Sequence, residues 1–93
     1  MLFRSGMQSF ELFPAFPNPA GESTRFQFRL NQTSEVTFEL RDVTGKLVEV
    51  RDMGTQPAGY NSFVLETSAL GAGSYTAILT VNGARTTQKL MVK

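Results

Sequence analysis

The chain of 93 residues contains no cysteine, no histidine and no tryptophan. Without cysteine it forms neither a disulfide framework nor a thiolate metal site. Without histidine it lacks the commonest general base and the commonest metal ligand, and it cannot build a Ser-His-Asp or Cys-His arrangement from its own residues. The absence of cysteine fits both the cytosol and extracellular bacterial proteins, so it does not decide the compartment.

Charge and length indicate a small globular domain. A chain of 93 residues forms one domain, and a net charge of +1 gives no general attraction to nucleic acid or anionic lipid. The hydrophobic fraction of 41% is that of a globular chain rather than a disordered one. Gly, Ser, Thr and Asn interrupt the uncharged stretch from Thr67 to Ala84, which argues against a transmembrane span. Nucleic acid, membrane insertion and cofactors are therefore not expected.

Apolar and polar residues alternate through most of the chain, which is typical of strands with one buried face. The alternation predicts an inward-facing set made of Phe26, Phe28, Leu30, Val36, Phe38, Leu40, Val48, Val50, Phe63, Leu65, Tyr75, Ala77, Leu79, Val81, Gln88, Leu90 and Val92. The later strands are predicted over Lys46 to Met53, Tyr60 to Glu66, Ser74 to Val81 and Ala84 to Val92.

Turn residues separate these strands. Thr44-Gly45 predicts a chain reversal, and Asn82-Gly83 predicts a two-residue hairpin, because both hairpin residues tolerate positive φ. The loop from Gly54 to Gly59 is long enough to change sheets. The small, Gly-rich stretch from Thr67 to Gly73 is predicted to be a connection, with Leu70 plugging the end of the core.

The N-terminal part is predicted to hold a short edge segment over Phe10 to Phe16, broken by Pro14. Pro17 and Pro19 are expected to hold the chain extended and to stop further pairing. An exposed edge strand at Phe10 to Phe16 is also a route to a homodimer.

These patterns together predict an all-β fold. Six or seven short strands without helical periodicity fit an antiparallel immunoglobulin-like β-sandwich, and a small closed barrel is the alternative.

Groups that could carry catalysis are few. Glu35 and Glu39 share one strand face, and Asp42 and Asp52 flank turns, which fits a solvated face with turn-capping aspartates better than a glycosidase pair. No Asp-x-Asp-x-Asp loop supports calcium binding. Gly71 to Gly73 lead into a strand rather than a helix, so they do not form a phosphate loop. An enzyme is not expected.

Four short motifs follow one another at characteristic spacing. They are Pro17-Asn18-Pro19, Asp42-Val43-Thr44-Gly45-Lys46, Leu70 with Gly73 and Tyr75, and Lys89-Leu90-Met91-Val92-Lys93. In this order, ending at the final residue, they resemble the C-terminal sorting domain of the bacterial type IX secretion system. The resemblance covers nearly all of Phe13 to Lys93.

The sequence departs from that family at two positions. Ser74 stands where valine is more common, and Phe16 stands where tyrosine is frequent. A related immunoglobulin-like family, typified by the flagellar hook-capping protein, shares the Pro-Asn-Pro, Gly-turn and Gly-x-Tyr features without the export role.

The resemblance implies a non-catalytic sorting module. The parent protein would cross the inner membrane with a signal peptide and fold in the periplasm. An outer-membrane translocon and its shuttle protein would then bind the domain, and a sortase-like protease would usually remove it at the upstream linker. The cargo would end at the cell surface or in the medium. Residues 1–12 are assigned to the linker or upstream segment and residues 13–93 to the sorting domain.

Recognition by the translocon is expected at the last strand, on Lys89, Leu90, Val92 and Lys93. The family-motif positions with a structural role are Pro17, Asn18, Pro19, Asp42, Gly45, Lys46, Leu70, Gly73 and Tyr75. The alternative function is a structural or adhesive immunoglobulin-like module that binds a polymer or protein, with Tyr60 on its outer surface.

Overall fold

Seven strands and no helix make up the part of the chain that the computed structural model describes, residues 10–93. The strands are β1 (Phe10–Leu12), β2 (Ser23–Leu30), β3 (Ser34–Asp42), β4 (Leu47–Gln56), β5 (Gly59–Glu66), β6 (Gly73–Val81) and β7 (Ala84–Val92). Residues 10–93 thus contain no helix that is long and apolar enough to cross a membrane.

The strands form two antiparallel sheets. The small sheet has the order β1-β2-β5, and the large sheet has the order β4-β3-β6-β7. Consecutive strands cross from one sheet to the other after β2, β4 and β5, as in immunoglobulin-like sandwiches. The predicted sandwich is confirmed, and the two sheets stay separate instead of closing into a barrel.

The core lies between the sheets and has an aromatic centre. The rings of Phe26 and Phe63 stack with centroids 5.3 Å apart, and Phe38 from the opposite sheet meets Phe63 edge-on at 4.9 Å. The predicted inward positions that are buried are Phe26, Phe28, Leu30, Val36, Phe38, Leu40, Leu65, Ala77, Leu79, Val81, Leu90 and Val92. Phe63 and Tyr75 pack against this core while remaining partly exposed.

The prediction that Val48 and Val50 face inward is wrong. Val48 is 37% exposed and Val50 is 54% exposed. An irregularity in the β3–β4 register leaves Val48 without a partner, and Val50 then lies opposite Glu39 on the outer face. Arg51, one residue further along, lies opposite the buried Phe38, so the inner position goes to a charged residue.

Arg51 of β4 contacts β5 of the opposite sheet. Its guanidinium lies 5.5 Å from the centroid of the Phe63 ring, and Nη1 donates to the carbonyl of Val64 at 3.0 Å. The Glu49 carboxylate accepts from Nε at 2.8 Å. The aliphatic stem of an arginine can cover apolar surface while its head stays hydrated, which explains how a cation occupies this position.

The connection between β4 and β5 is shorter than the predicted loop from Gly54 to Gly59. β4 continues to Gln56, so only Pro57 and Ala58 join it to β5, and the predicted change of sheet is confirmed. Gly54 lies inside β4 at φ +65, beside the second irregularity of the β3–β4 register.

The Asn82-Gly83 hairpin is confirmed. Both residues have positive φ, 48° and 89°, and β7 begins at Ala84 as predicted. The Asn82 side chain also accepts a hydrogen bond from the N–H of Glu35 at 2.9 Å, which ties the hairpin to the start of β3.

The N-terminal edge segment is present as β1. Phe10 pairs with Leu30 and Leu12 pairs with Phe28, so residues 10–12 extend the small sheet. Residues 1–9 of the predicted linker lie outside the described residues. The boundary between residues 12 and 13 remains a prediction.

Candidate functional site

The predicted recognition strand, β7, forms one edge of the large sheet beside β6. Its side chains alternate in exposure, as period two requires. Leu90 is fully buried and Val92 is 4% exposed, whereas Lys89 and Lys93 are exposed. The lysines therefore lie on the surface, and the two apolar residues anchor the strand in the core.

A segment that we call the strap, residues 13–22, connects β1 to β2 and contacts both sheets. It starts in the small sheet, where Phe16 pairs with Arg25. It then crosses to the large sheet, where Ala20 pairs in parallel with Val92. The strap therefore joins the two sheets.

Backbone hydrogen bonds fasten the end of the strap to β7. The N–H of Ala20 donates to the carbonyl of Met91 at 2.7 Å, and the N–H of Lys93 donates to the carbonyl of Ala20 at 2.9 Å. On the other side, the buried Thr24 hydroxyl donates to the carbonyl of Pro17 at 2.8 Å. The strap is thus held from both sheets.

Asn18, between the two prolines, acts as a further pairing group. Its Nδ2 donates to the carbonyl of Lys89 at 3.2 Å, and its Oδ1 accepts from the N–H of Met91 at 2.9 Å. The peptide bonds that precede Pro17 and Pro19 are both cis. One side-chain amide thus supplies the donor and acceptor that a neighbouring strand would supply.

The prediction that Pro17 and Pro19 hold the chain extended and stop further pairing is wrong. The chain bends through residues 17–19, and pairing resumes at Ala20. Proline has no N–H to donate, and the Asn18 side chain compensates at this point.

Gln88 makes a second side-chain link between β7 and the strap. Its Nε2 donates to the carbonyl of Phe13 at 2.9 Å, and its Oε1 accepts from the N–H of Ala15 at 3.0 Å. Sequence alternation placed Gln88 on the inward side of β7 but gave no sign of this partner, because the contact spans more than seventy positions of the chain.

The Asp42–Lys46 motif builds the turn between β3 and β4. Asp42 Oδ1 accepts from the Thr44 hydroxyl at 2.6 Å, from the N–H of Thr44 at 2.9 Å and from the N–H of Lys46 at 3.1 Å. Gly45 adopts φ +87, which disfavours a residue with a Cβ. The expected turn-capping role of Asp42 is confirmed.

The Thr44 hydroxyl bond is the main reason that the pKa of Asp42 lies below its ordinary value of 3.8, and the backbone bonds from Lys46 and Thr44 act in the same direction. Because the folded domain releases this proton more readily than the unfolded chain, the ionised group stabilises the fold above pH 3.8. That contribution is lost as the pH falls through the lower pKa of the folded state.

Replacing Asp42 with asparagine tests this turn. We expect Asp42→Asn to lower the free energy of unfolding at neutral pH, because the ionised acceptor strengthens the turn bonds. The difference from the unmodified chain should shrink as the pH falls below 3.8. Urea unfolding at a series of pH values measures it, and a difference that is constant with pH contradicts the assignment.

The motif formed by Leu70, Gly73 and Tyr75 makes the corner that leads into β6. The Tyr75 hydroxyl donates to the carbonyl of Gly71 at 2.6 Å, and Leu70 packs against the core, as predicted. Gly73 has φ +149 and begins the strand.

All four motifs meet at one end of the large sheet. In the register, Tyr75 lies between Asp42 on β3 and Leu90 on β7. Gly73 lies opposite Val92, which also pairs with Ala20 of the strap. The four motifs therefore lie together at this end of the sandwich, where β7 and the strap are at the surface.

Two of the other polar candidates, Glu39 and Asp52, have structural partners. Glu39 makes an ion pair with Arg41 at 3.1 Å, and Asp52 accepts from the N–H of Gly54 at 3.0 Å. Within residues 10–93, no group of three carboxylates is arranged to hold a metal ion. Tyr60 is 69% exposed, and its ring stacks on Phe13 with centroids 6.0 Å apart.

Removing the Asn18 side chain should loosen the strap. We expect Asn18→Ala to lower the free energy of unfolding by about 1–2 kcal/mol, because two exposed hydrogen bonds are lost. The amide of Met91 should also exchange with solvent faster, since its N–H loses its acceptor. Hydrogen exchange measures this directly, with the amide of Leu90 as the internal reference, and unchanged exchange at Met91 contradicts the strap.

Comparison with known proteins supports the same reading of the motifs. The model of the family described as the secretion system C-terminal sorting domain matches residues 14–93. A search of curated proteins finds no match. The matched region starts inside the strap and includes β2 to β7, so only β1 lies before it. The chain belongs to the C-terminal sorting domain family of the type IX secretion system.

Proposed function

We propose that this domain directs a cargo protein through the outer membrane by the type IX secretion system, and that it does so without catalysis. The observation that carries the proposal is the family match over residues 14–93. Domains of this family are sorting signals rather than catalysts. Membership implies interaction with the secretion machinery and export to the cell surface or the medium.

The contact with the machinery is assigned to the last strand and the residue that follows it. Lys89 and Lys93 are exposed and present two positive charges. Leu90 and Val92 are buried, so their part is to hold the strand in place rather than to touch a partner. The assignment rests on the position of the motif and on the exposure of its lysines.

We further propose the finer steps of the route, which the family resemblance suggests. The domain folds in the periplasm and is bound by the outer-membrane translocon and its shuttle protein. A sortase-like protease then cuts the upstream segment, assigned to residues 1–12, and the cargo remains at the surface or leaves the cell.

A second candidate function is that of a structural or adhesive accessory module. The exposed Tyr60, stacked on Phe13, favours it, because exposed tyrosine rings are enriched at binding interfaces. Binding to a glycan array that Tyr60→Ala abolishes would support this function. An array without any signal counts against this function.

The sorting function is tested by giving the domain a foreign cargo. A fluorescent reporter with a signal peptide is expressed in a bacterium with a working type IX system, with or without this chain at its C-terminus. We expect reporter on the surface or in the medium only when the chain is attached. The same fusion in a host that lacks the translocon is the control. Reporter that stays in the periplasm of the working host contradicts the proposal.

Deleting residues 89–93 is a poor test of recognition. The deletion removes Leu90 and Val92 from the core together with the exposed lysines. Loss of export would then report unfolding as well as loss of contact. Substitutions at exposed positions separate the two effects.

A further inference from the structure

We propose that the secretion machinery binds this domain by adding a strand that carries carboxylates to the free edge of β7, over residues 85–89. The inference rests on the proposed function and deepens it, because it names the surface and the chemistry of the partner. It extends the candidate site beyond the terminal motif, to Arg85 and Thr87.

The orientation of the β7 backbone follows from the strap contacts. In an antiparallel pair, successive residues point their N–H and C=O alternately towards the partner strand and away from it. Met91 bonds to Asn18 and Ala20 with its N–H and C=O, so its backbone faces away from β6. By alternation, Arg85 and Thr87 also face away from β6.

The strap covers only the second half of this edge. Its hydrogen bonds to the β7 backbone reach the carbonyl of Lys89, both backbone groups of Met91 and the N–H of Lys93. Its bonds to Gln88 reach that residue's side chain and no backbone group. Within residues 10–93, no segment pairs with the outward backbone groups of Arg85 and Thr87. Such a row of unpaired groups is a template for an added strand.

The side chains at this half of the edge define the partner. Arg85 and Lys89 are exposed, and neither makes an ion pair with any described residue. In the register they lie opposite Thr80 and Thr76, which are uncharged. Carboxylates on an added strand would therefore meet two cations on the outer face without an acidic neighbour from β6. This charge complementarity selects an acidic strand as the occupant.

The other long edges are less suited to strand addition. β4 pairs with β3 through two register irregularities, and such bulges disrupt a regular edge. β5 already receives Arg51, whose guanidinium bonds to the carbonyl of Val64. The first half of β7 has neither obstacle, because its register with β6 is unbroken.

Proline at Thr87 tests the backbone contact. The N–H of Thr87 faces away from β6, so Thr87→Pro removes an edge donor and no hydrogen bond of the sheet. Thr87→Val is the matched control, because it changes the side chain and keeps the N–H. In the reporter assay we expect Thr87→Pro to reduce export about tenfold or more, as the loss of one essential contact would. Thr87→Val should export normally.

Charge reversal at Arg85 tests the partner's chemistry independently of the backbone. We expect Arg85→Glu to reduce export by a similar factor. Arg25→Glu, at an exposed position on β2 of the small sheet, should leave export unchanged. Circular dichroism of each purified domain checks folding. If Thr87→Pro does not fold, the comparison of Arg85→Glu with Arg25→Glu decides whether an acidic partner binds this edge.

Several outcomes overturn the inference. Normal export of folded Thr87→Pro, or of Arg85→Glu, excludes an acidic strand at this edge. If export of a variant that carries Lys89→Glu and Lys93→Glu is blocked at the same time, the proposed function stands and only the inference fails. Normal export combined with a dimer that Thr87→Pro dissociates assigns the edge to a second copy of the chain. A reporter that even the unmodified chain fails to export removes the proposed function itself.

Discussion

Replacing Phe38 with alanine is expected to lower the free energy of unfolding by about 3–5 kcal/mol. Phe38 is fully buried, and its ring lies 5.1 Å from that of Phe26 and 4.9 Å from that of Phe63. It therefore connects the large sheet to the small one at the centre of the core. Domains of this size are stable by about 5–15 kcal/mol, so the variant should be close to unfolding. Urea unfolding followed by circular dichroism measures the loss.

Phe16 provides the matched control for this prediction. It is also a phenylalanine but is 79% exposed. Phe16→Ala should change the free energy of unfolding by about 0.5 kcal/mol or less, as surface substitutions usually do. Equal losses in the two variants would contradict the placement of Phe38 between the sheets.

The second large effect is expected within the terminal motif of β7. Leu90→Ala should lower the free energy of unfolding by about 2–5 kcal/mol, because Leu90 is fully buried between the sheets. Met91→Ala, at the next position, should cost about 1 kcal/mol or less, since Met91 is 38% exposed on the outer face. Thermal unfolding of the two variants under identical conditions gives the comparison.

This contrast decides how export defects in the motif are interpreted. If Leu90→Ala unfolds more readily and Met91→Ala does not, loss of export in the first variant reports folding. If both variants are equally stable, Leu90 is not a core residue, and the division of β7 into anchoring and exposed positions is wrong.

Much of the fold could be predicted from the sequence because most strands have one buried face. Period two located the inward residues of β2, β3, β6 and β7, and the Asn82-Gly83 pair fixed the last hairpin. These signals are local. Each depends only on the pattern within a strand or turn.

The wrong predictions concern residues whose exposure or pairing depends on distant parts of the chain. The alternation of Val48 and Val50 predicts a buried face, but the register with β3 turns them outward and gives Arg51 the inner position. Similarly, the prolines beside Asn18 predict an end to pairing, but the Asn18 side chain bonds to Met91, 73 positions away. No local pattern shows either contact.

The placement of the site residues and their importance were predicted from different signals. Alternation alone indicated that Leu90 and Val92 lie inside, with Lys89 and Lys93 outside. The meeting of the four motifs at one end of the large sheet depends on the order of strands in space, which the sequence does not reveal. The resemblance to the sorting family indicated their importance, and the register explains how they fit together.

Export of a reporter with reversed charge at the exposed lysines tests the central claim most directly. The fusion carries Lys89→Glu and Lys93→Glu, and the control carries Lys89→Arg and Lys93→Arg, which keep the charge and the exposed positions. We expect the glutamate pair to fold normally and leave the reporter in the periplasm, while the arginine pair exports it. Normal export of the folded glutamate pair would contradict recognition at the exposed side of the terminal motif.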